Sequence, residues 1–313
     1  MEQEQKTEAR VGRFGQVKVY VGKLFRIFVN EKDWKTILFA VIVSLLLAAV
    51  LGDTMFVKKE GTRSGFFAIV SACIWIGIFN SIQTICRERE IIKREHRTGL
   101  HMSSYVTVHV IYQGIICLAQ TLLMVVIYAL FMKFPKEGLV TGNFYLDFYI
   151  TLFLILFSAD MLGIAISALV KNTTTAMTVM PFILIVQLIF SGSVFPITGN
   201  AKYISDLTIS KWGQRALCIE ANMNELPSEL LDSEWEMIES VDLISELIDT
   251  LPDEMVEDAH TGIETFLHDY TYRSIYKYES ILVTRRWLYL LGFAALYVLV
   301  AVVSLEFIDR DKR

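Results

Sequence analysis

Two groups of residues in this chain could do work beyond packing. The first is a run of ions, Glu88-Arg89-Glu90-Ile91-Ile92-Lys93-Arg94-Glu95-His96-Arg97-Thr98-Gly99-Leu100-His101-Met102-Ser103-Ser104-Tyr105, in which acids and bases interleave within one short stretch. Such a run suits salt-bridged docking, where force is passed on rather than a proton or an electron pair; it suits a solvated charged link as well. The second is Asp160, a carboxylate deep in an apolar run. It needs a partner, because a charge in hydrocarbon costs about 2.5–3.5 kcal/mol on insertion scales. Cys73, Cys86, Cys117 and Cys218 show no CxxC spacing and no histidine pairing, so they read as packing residues, with neither a disulfide framework nor a metal site expected. No GxxxxGK[ST] segment occurs, so there is no backbone cradle for nucleotide phosphates and no catalytic residue is assigned.

The elements that position these groups are six apolar runs, at roughly 34–52, 66–85, 103–132, 146–169, 176–195 and 287–308. Each is near the ~20 residues a helix needs to cross a hydrocarbon core about 30 Å thick. A composition that is 54% hydrophobic, with mean hydropathy +0.46, points the same way. Backbone groups in lipid must be paired within the segment, and the alternation of a barrel strand is absent, so the expected fold is all-α: a polytopic membrane protein with six transmembrane helices. The charged segment before the first run lacks the form of a cleaved signal peptide, so that run is expected to remain.

Lys and Arg near membrane helices are retained on the cytoplasmic side. They crowd the N-terminal segment, the loop at 87–97 and the tail at 310–313, while the loops at 53–65 and 133–145 hold five between them. Both termini are therefore expected inside a plasma membrane. The stretch 196–286 falls outside; it carries 18 acidic residues against seven basic ones, which is where the net charge of −5 originates. Within it, Leu230, Leu231, Trp235, Ile238, Val241, Ile244, Leu247, Ile248 and Leu251 recur at helical spacing between Ser228 and Pro252. Phe266, Tyr270, Tyr272, Tyr276 and Tyr278 then suit an aromatic belt at the headgroups. Bulky residues from Val17 to Phe28, interleaved with Lys18, Lys23 and Arg26, predict an interfacial helix along the inner leaflet. The expected organisation is a cytoplasmic segment at 1–33, helices one to five at 34–195 with a cytoplasmic loop at 86–102, an external helical part at 196–286, and helix six with its tail at 287–313.

The loop, with its Glu88-Arg89 and Arg94-Glu95 pairs followed by Gly99, resembles the membrane half of G-type ATP-binding cassette exporters, the family of multidrug, sterol and pigment-precursor transporters. Phe190-Ser191-Gly192-Ser193-Val194-Phe195-Pro196 is similar to the end of that family's fifth span, and Ile204 through Leu217, with Lys211-Trp212-Gly213-Gln214-Arg215-Ala216-Leu217, to its re-entrant segment. The resemblance implies a nucleotide-binding domain or subunit that carries ATP and Mg, a second membrane domain making a homo- or heterodimer, and no cofactor on this chain; no nucleic-acid partner is expected. It makes Glu88, Arg89, Arg94, Glu95 and Gly99 the coupling element toward the ATPase, and 17–32 the connecting helix. It lines a translocation path with Trp75, Ile76, Phe79, Asn80 and Gln83 of span two and Pro181, Phe182, Ile185 and Ile189 of span five, under an external plug of Val194 and Phe195. An apolar path with a few amides suits an amphipathic or lipid-like cargo.

A rise of about 1.5 Å per residue puts Asp160 and Gln113 at similar depth, which predicts a contact of Asp160 with Gln113 or His109. The function the resemblance implies is the permease domain of an ATP-driven exporter working by alternating access. A secondary transporter or channel without an ATPase is the alternative, and an anchor for a signalling partner a third reading.

Overall fold

A computed structural model describes residues 12–30, 34–193, 195, 197–228 and 271–307, with isolated positions between 255 and 266. Every regular element among the described residues is a helix. In chain order they are α1 (Arg13–Asn30), α2 (Lys35–Leu51), α3 (Lys59–Ser81), α4 (Thr84–Arg87), α5 (Arg89–Arg97), α6 (Met102–Phe131), α7 (Phe144–Leu169), α8 (Thr173–Ile189), α9 (Ala201–Asp206), α10 (Ile209–Glu220) and α11 (Ser280–Glu306). Among the described residues, four stretches are long and apolar enough to cross a membrane: Lys59–Arg87, Met102–Phe131, Phe144–Leu169 and Ser280–Glu306. The apolar helices α2 and α8 are shorter, at 17 residues each. The amphipathic pattern placed at 230–251, Tyr270 and the plug residue Val194 lie outside the described residues.

Helix α7 is the most enclosed of the long helices, with α3, α6, α10 and α11 packed around it. Asn143 starts it by accepting from the Tyr145 N–H at 2.9 Å, and Asp147 accepts from the N–H groups of Val140 and Thr141 at 2.8 and 3.0 Å, tying down the preceding loop. Helices α3 and α7 touch through glycines. A Cβ on Gly77 would lie 2.5 Å from the Leu156 carbonyl oxygen, and one on Gly163 would lie 2.2 Å from Ser81 Oγ. Small residues let membrane helices approach closely, so that dispersion and hydrogen bonds between them take the place of the hydrophobic drive that lipid cannot supply. Helix α2 lies at the rim, burying only Ala40, Ser44 and Ala48 along one stripe while Leu38, Ile42, Leu46 and Val50 face outward.

Three helix ends differ from the hydropathy pattern. Helix α3 begins at Lys59 rather than near 66, because protein satisfies the polar groups at its start, and α11 begins at Ser280 rather than 287. Lys59 Nζ donates to Thr271 Oγ1 at 3.0 Å, Glu60 accepts from Ser228 at 2.6 Å, Arg63 donates to the Gly192 carbonyl at 3.0 Å, and Arg286 lies 5.5 Å from the Trp212 ring. Helix α8 ends at Ile189, short of 195, where Gly192 takes φ +81° and turns the chain back. Its Gln187 Oε1 then accepts from the N–H groups of Ile209 and Ser210 at 2.9 and 3.3 Å, satisfying orphan donors at the start of α10. The similarity at 204–217 thus falls mostly on α10, a helix buried along most of its length. Tyr276 departs from the expected aromatic belt: it is buried, while Tyr272 and Tyr278 are exposed.

Candidate functional site

The charged run forms a strut at one end of the bundle. Ser167 Oγ of α7 accepts from the N–H groups of Ile85 and Cys86, both at 3.0 Å, and so caps α4 from a neighbouring helix. Glu88, at the junction with α5, accepts from the Tyr105 hydroxyl at 3.5 Å. Gly99 closes α5 at φ +108°, a conformation a Cβ disfavours, and the Leu100 N–H reaches back to the Glu95 carbonyl at 3.0 Å. Helix α1 clasps this turn, since Gln16 Nε2 donates to the Gly99 carbonyl at 3.1 Å while its Oε1 accepts from the His101 N–H at 3.2 Å. Tyr20 of α1 hydrogen-bonds Glu95; burial first, and this carboxylate second, push its pKa up to about 12, so it stays a neutral donor.

The strut has two faces, and the structure sorts the coupling residues between them. Arg89 is buried, and its Nη1 donates to the carbonyls of Ala168 and Val170 at 2.8 and 2.9 Å, gripping the C-terminus of α7, where unpaired carbonyls favour a cation. Its guanidinium is therefore used inside the protein, joining α5 to α7. Glu95 is part-buried against α1. Arg94 is exposed, together with Glu90, Ile91 and Arg97. Ile91 is a 42% exposed aliphatic side chain ringed by ions.

A cavity of about 340 Å³ opens beside the strut, between α1, α3 and α6. Phe79, Asn80, Gln83, Glu88, His109 and Gln113 all line it. The sequence distributed these residues among path, coupling and intramembrane contact; they share one chamber. Its inner wall is a network of amides. Asn80 Nδ2 donates to Gln120 Oε1 at 2.8 Å, Gln120 Nε2 to the Thr36 carbonyl at 3.1 Å, and Gln113 Nε2 to the Asn80 carbonyl at 3.2 Å.

Asp160 joins the back of this wall through different partners from those expected. It contacts neither Gln113 nor His109; Cys117 Sγ donates to its Oδ2 at 3.2 Å, and Ser81 Oγ donates to its backbone carbonyl at 2.6 Å. Cys117 is four residues beyond Gln113, so the depth count is off by one helical turn. His109 stacks edge-on with Tyr105 at 4.6 Å, and its Nδ1 has no partner among the described residues. If Asp160 is structural, Asp160→Asn will keep an acceptor for Cys117 at a cost near 1 kcal/mol, within the range of a single hydrogen bond. The transport rate against pH should then match wild type, and a flattened pH profile in the variant would make Asp160 a proton carrier.

The remaining path residues separate. Ile76 is fully buried against the core, which corrects its placement on an open path, while Trp75 and Phe79 are exposed with rings 6.3 Å apart. On α8 the pattern divides cleanly: Ala176, Met180, Leu184 and Gln187 are buried, whereas Pro181, Phe182, Ile185 and Ile189 form an exposed apolar face. Phe195 is exposed as well.

A helical bundle with several membrane-length apolar helices, wrapped around polar side chains and bearing a buttressed charged strut at one end, is that of a multi-pass membrane protein. The ABC-2 type transporter model matches residues 17–219, more than half of the chain, and the chain belongs to that family as an ABC transporter permease domain. It is also similar to the ABC transporter ATP-binding/permease protein Rv1747 of Mycobacterium tuberculosis (strain ATCC 25618 / H37Rv), 26% identical over 168 residues. That similarity covers 52% of this chain and 19% of the relative, so the chain spans about a fifth of the protein it matches.

Proposed function

We propose that this permease domain is driven by ATP hydrolysis on a nucleotide-binding domain or subunit and exports an amphipathic or lipid-like cargo by alternating access, with the organisation of the G-type exporters. In this reading α2 and α8 complete six spans, both termini are cytoplasmic in a plasma membrane, and α1 lies along the inner leaflet. The ATPase docks on the open face of α5, where Glu90, Arg94 and Arg97 frame Ile91. A second membrane domain faces the exposed side of α8 across a two-fold axis, so that Phe182, Ile185 and Ile189 line a shared path with Trp75 and Phe79. The chamber at Asn80, Gln83 and Gln113 receives the polar end of the cargo from the cytoplasmic leaflet.

The observation that carries this reading is the division of α5: one face is clamped to α7 and α1 by Arg89, Gln16 and Tyr20, while the other offers an aliphatic residue among ions. A solvated linker would not need the clamps. Ile91→Asp combined with Arg94→Glu is expected to abolish vanadate-sensitive ATPase activity in the assembled transporter and to weaken retention of the ATP-binding partner by about tenfold or more, the effect of ~1.4 kcal/mol. Gradient-driven uptake by the permease without any ATPase would support a secondary transporter instead.

A further inference from the structure

A second and larger cavity, of about 850 Å³, lies at the end of the bundle opposite the strut. It forms where the start of α3, the turn after α8, helices α9 and α10, and the segment at 273–276 converge. Its charge is lopsided. Arg63, Lys202, Lys211, Arg215 and Arg273 line it, and among the described residues Asp206 is the one carboxylate of the lining, which sets five cations against one anion there. This is unexpected in a stretch whose overall balance is strongly acidic.

Among the described residues, one of the five cations has a carboxylate partner. Lys211 pairs with Asp206. Arg215 lies 5.5 Å from the Trp212 ring, which also has Lys211 and Arg286 within reach at 5.3 and 5.5 Å, so stacking on one indole fixes the edge of the basin. Arg63 gives one Nη to the Gly192 carbonyl, while its buried Nε has no partner among the described residues. The hydroxyls of Ser191, Ser193 and Ser205 donate to Leu188, Gln214 and Phe190, which leaves the Tyr276 hydroxyl and the cations as the donors facing the cavity. Like charges gathered in a concave site raise each other's energy, and a bound anion relieves that repulsion. Planar guanidinium forks match the oxygens of phosphate, and several such forks together favour a multiply charged or multidentate anion over a single carboxylate.

We propose that this cavity binds a phosphate group, carried either by a diffusible phosphate compound or by a lipid headgroup, with the guanidinium groups of Arg63, Arg215 and Arg273 as its principal donors. On the proposed topology the site faces the exterior, where it would meet either a lipid of the outer leaflet or the head of a departing cargo.

The test uses the full chain in nanodiscs. In neutral phosphatidylcholine discs, inorganic pyrophosphate is titrated against thermal unfolding, with sodium chloride at equal ionic strength as reference. In discs that mix phosphatidylcholine with phosphatidylglycerol, retained lipid is counted by native mass spectrometry. Stabilisation by pyrophosphate identifies a diffusible phosphate ligand, and selective retention of phosphatidylglycerol without that stabilisation identifies a headgroup. In either arm the Arg215→Gln/Arg273→Gln variant should bind about tenfold more weakly or worse, since two charge-assisted contacts are lost. Lys133→Gln/Lys136→Gln, which removes the same charge from an exposed loop, should bind as wild type. Should Arg215→Gln disturb folding, Lys202→Gln/Arg273→Gln, at two exposed positions, gives the same comparison with a smaller loss. Wild-type binding in neither arm, equal loss in the loop control, or a chloride response equal to that of pyrophosphate overturns the proposal. No arm involves ATP hydrolysis, so a negative result leaves the permease reading standing.

Discussion

Gly77→Leu is expected to prevent the bundle from assembling. The nearest atoms to a Cβ at this position are the Leu156 carbonyl oxygen at 2.5 Å, Ala159 Cβ at 2.9 Å and the Asp160 backbone nitrogen at 2.9 Å. Two of these three belong to the backbone of α7, which no rotamer change can move. Even alanine would force α3 and α7 apart, and overpacking of this kind costs about 1–3 kcal/mol before any bulkier side chain is placed. The displacement would also strain the Ser81 hydroxyl bond to the Asp160 carbonyl and the amide contacts around Asn80, since all of them lie within one turn of Gly77. The expected outcome is a graded loss: Gly77→Ala with a lowered unfolding temperature in detergent, and Gly77→Leu with no monodisperse species on size exclusion. Gly114→Ala is the matched control, because its Cβ would meet only the Phe157 ring, at an ordinary 3.6 Å. A Gly77→Leu protein as stable as wild type would mean that α3 and α7 are not in contact here.

How far the sequence discloses the fold depends on where each polar group finds its partner. The centres of the apolar runs are legible because hydrocarbon imposes a length and a composition. Helix ends are less so. The apolar part of α3 marks its path through the bundle, but its first turn holds Lys59, Glu60 and Arg63, whose partners come from residues 271, 228 and 192. A window sliding along the chain registers the charge and not its distant partner. The start of α10 is the same problem, with the cap supplied by Gln187 from 22 residues away.

The candidate site shows a second limit. Residue types around the strut suit docking, and the family resemblance picks Glu88, Arg89, Arg94, Glu95 and Gly99 without saying which way each side chain faces. Which side of a short helix faces inward is decided by the backbone it meets, so Arg89 and Arg94 are indistinguishable until the Ala168 and Val170 carbonyls are seen beside the first. Asp160 was recognisable as a group in need of a partner. The thiol that supplies one was not, because a buried cysteine reads as a small apolar residue until its sulfur is found 3.2 Å from a carboxylate. The basic cavity left no local signal at all: its cations are spread from residue 63 to 273 through a stretch whose summed charge has the opposite sign.

Arg89→Ala is expected to separate ATP hydrolysis from transport, and this effect distinguishes a lever from a docking surface. The guanidinium is the direct hydrogen-bonded link between the side chains of α5 and the C-terminus of α7, the central helix of the bundle. Ser304 of α11 donates to the same Ala168 carbonyl at 3.0 Å, so a push on α5 reaches two spans through one backbone oxygen. Removing the guanidinium forfeits two charge-assisted bonds, each worth about 1.5–3 kcal/mol, while Glu90, Ile91, Arg94 and Arg97 keep their exposed positions. The partner should therefore still bind and hydrolyse ATP at close to its basal rate. Transport per ATP should fall by about tenfold or more, because a coupling loss of ~1.4 kcal/mol already has that effect. Arg89→Lys, which can place one ammonium between the two carbonyls but cannot fork, should recover part of the transport and leave hydrolysis unchanged. Folding is monitored separately by monodispersity, since a purely structural defect would lower yield without altering the ratio of transport to hydrolysis. If partner binding and hydrolysis fall together with transport in both variants, Arg89 belongs to the docking surface and α5 does not act as a lever on α7.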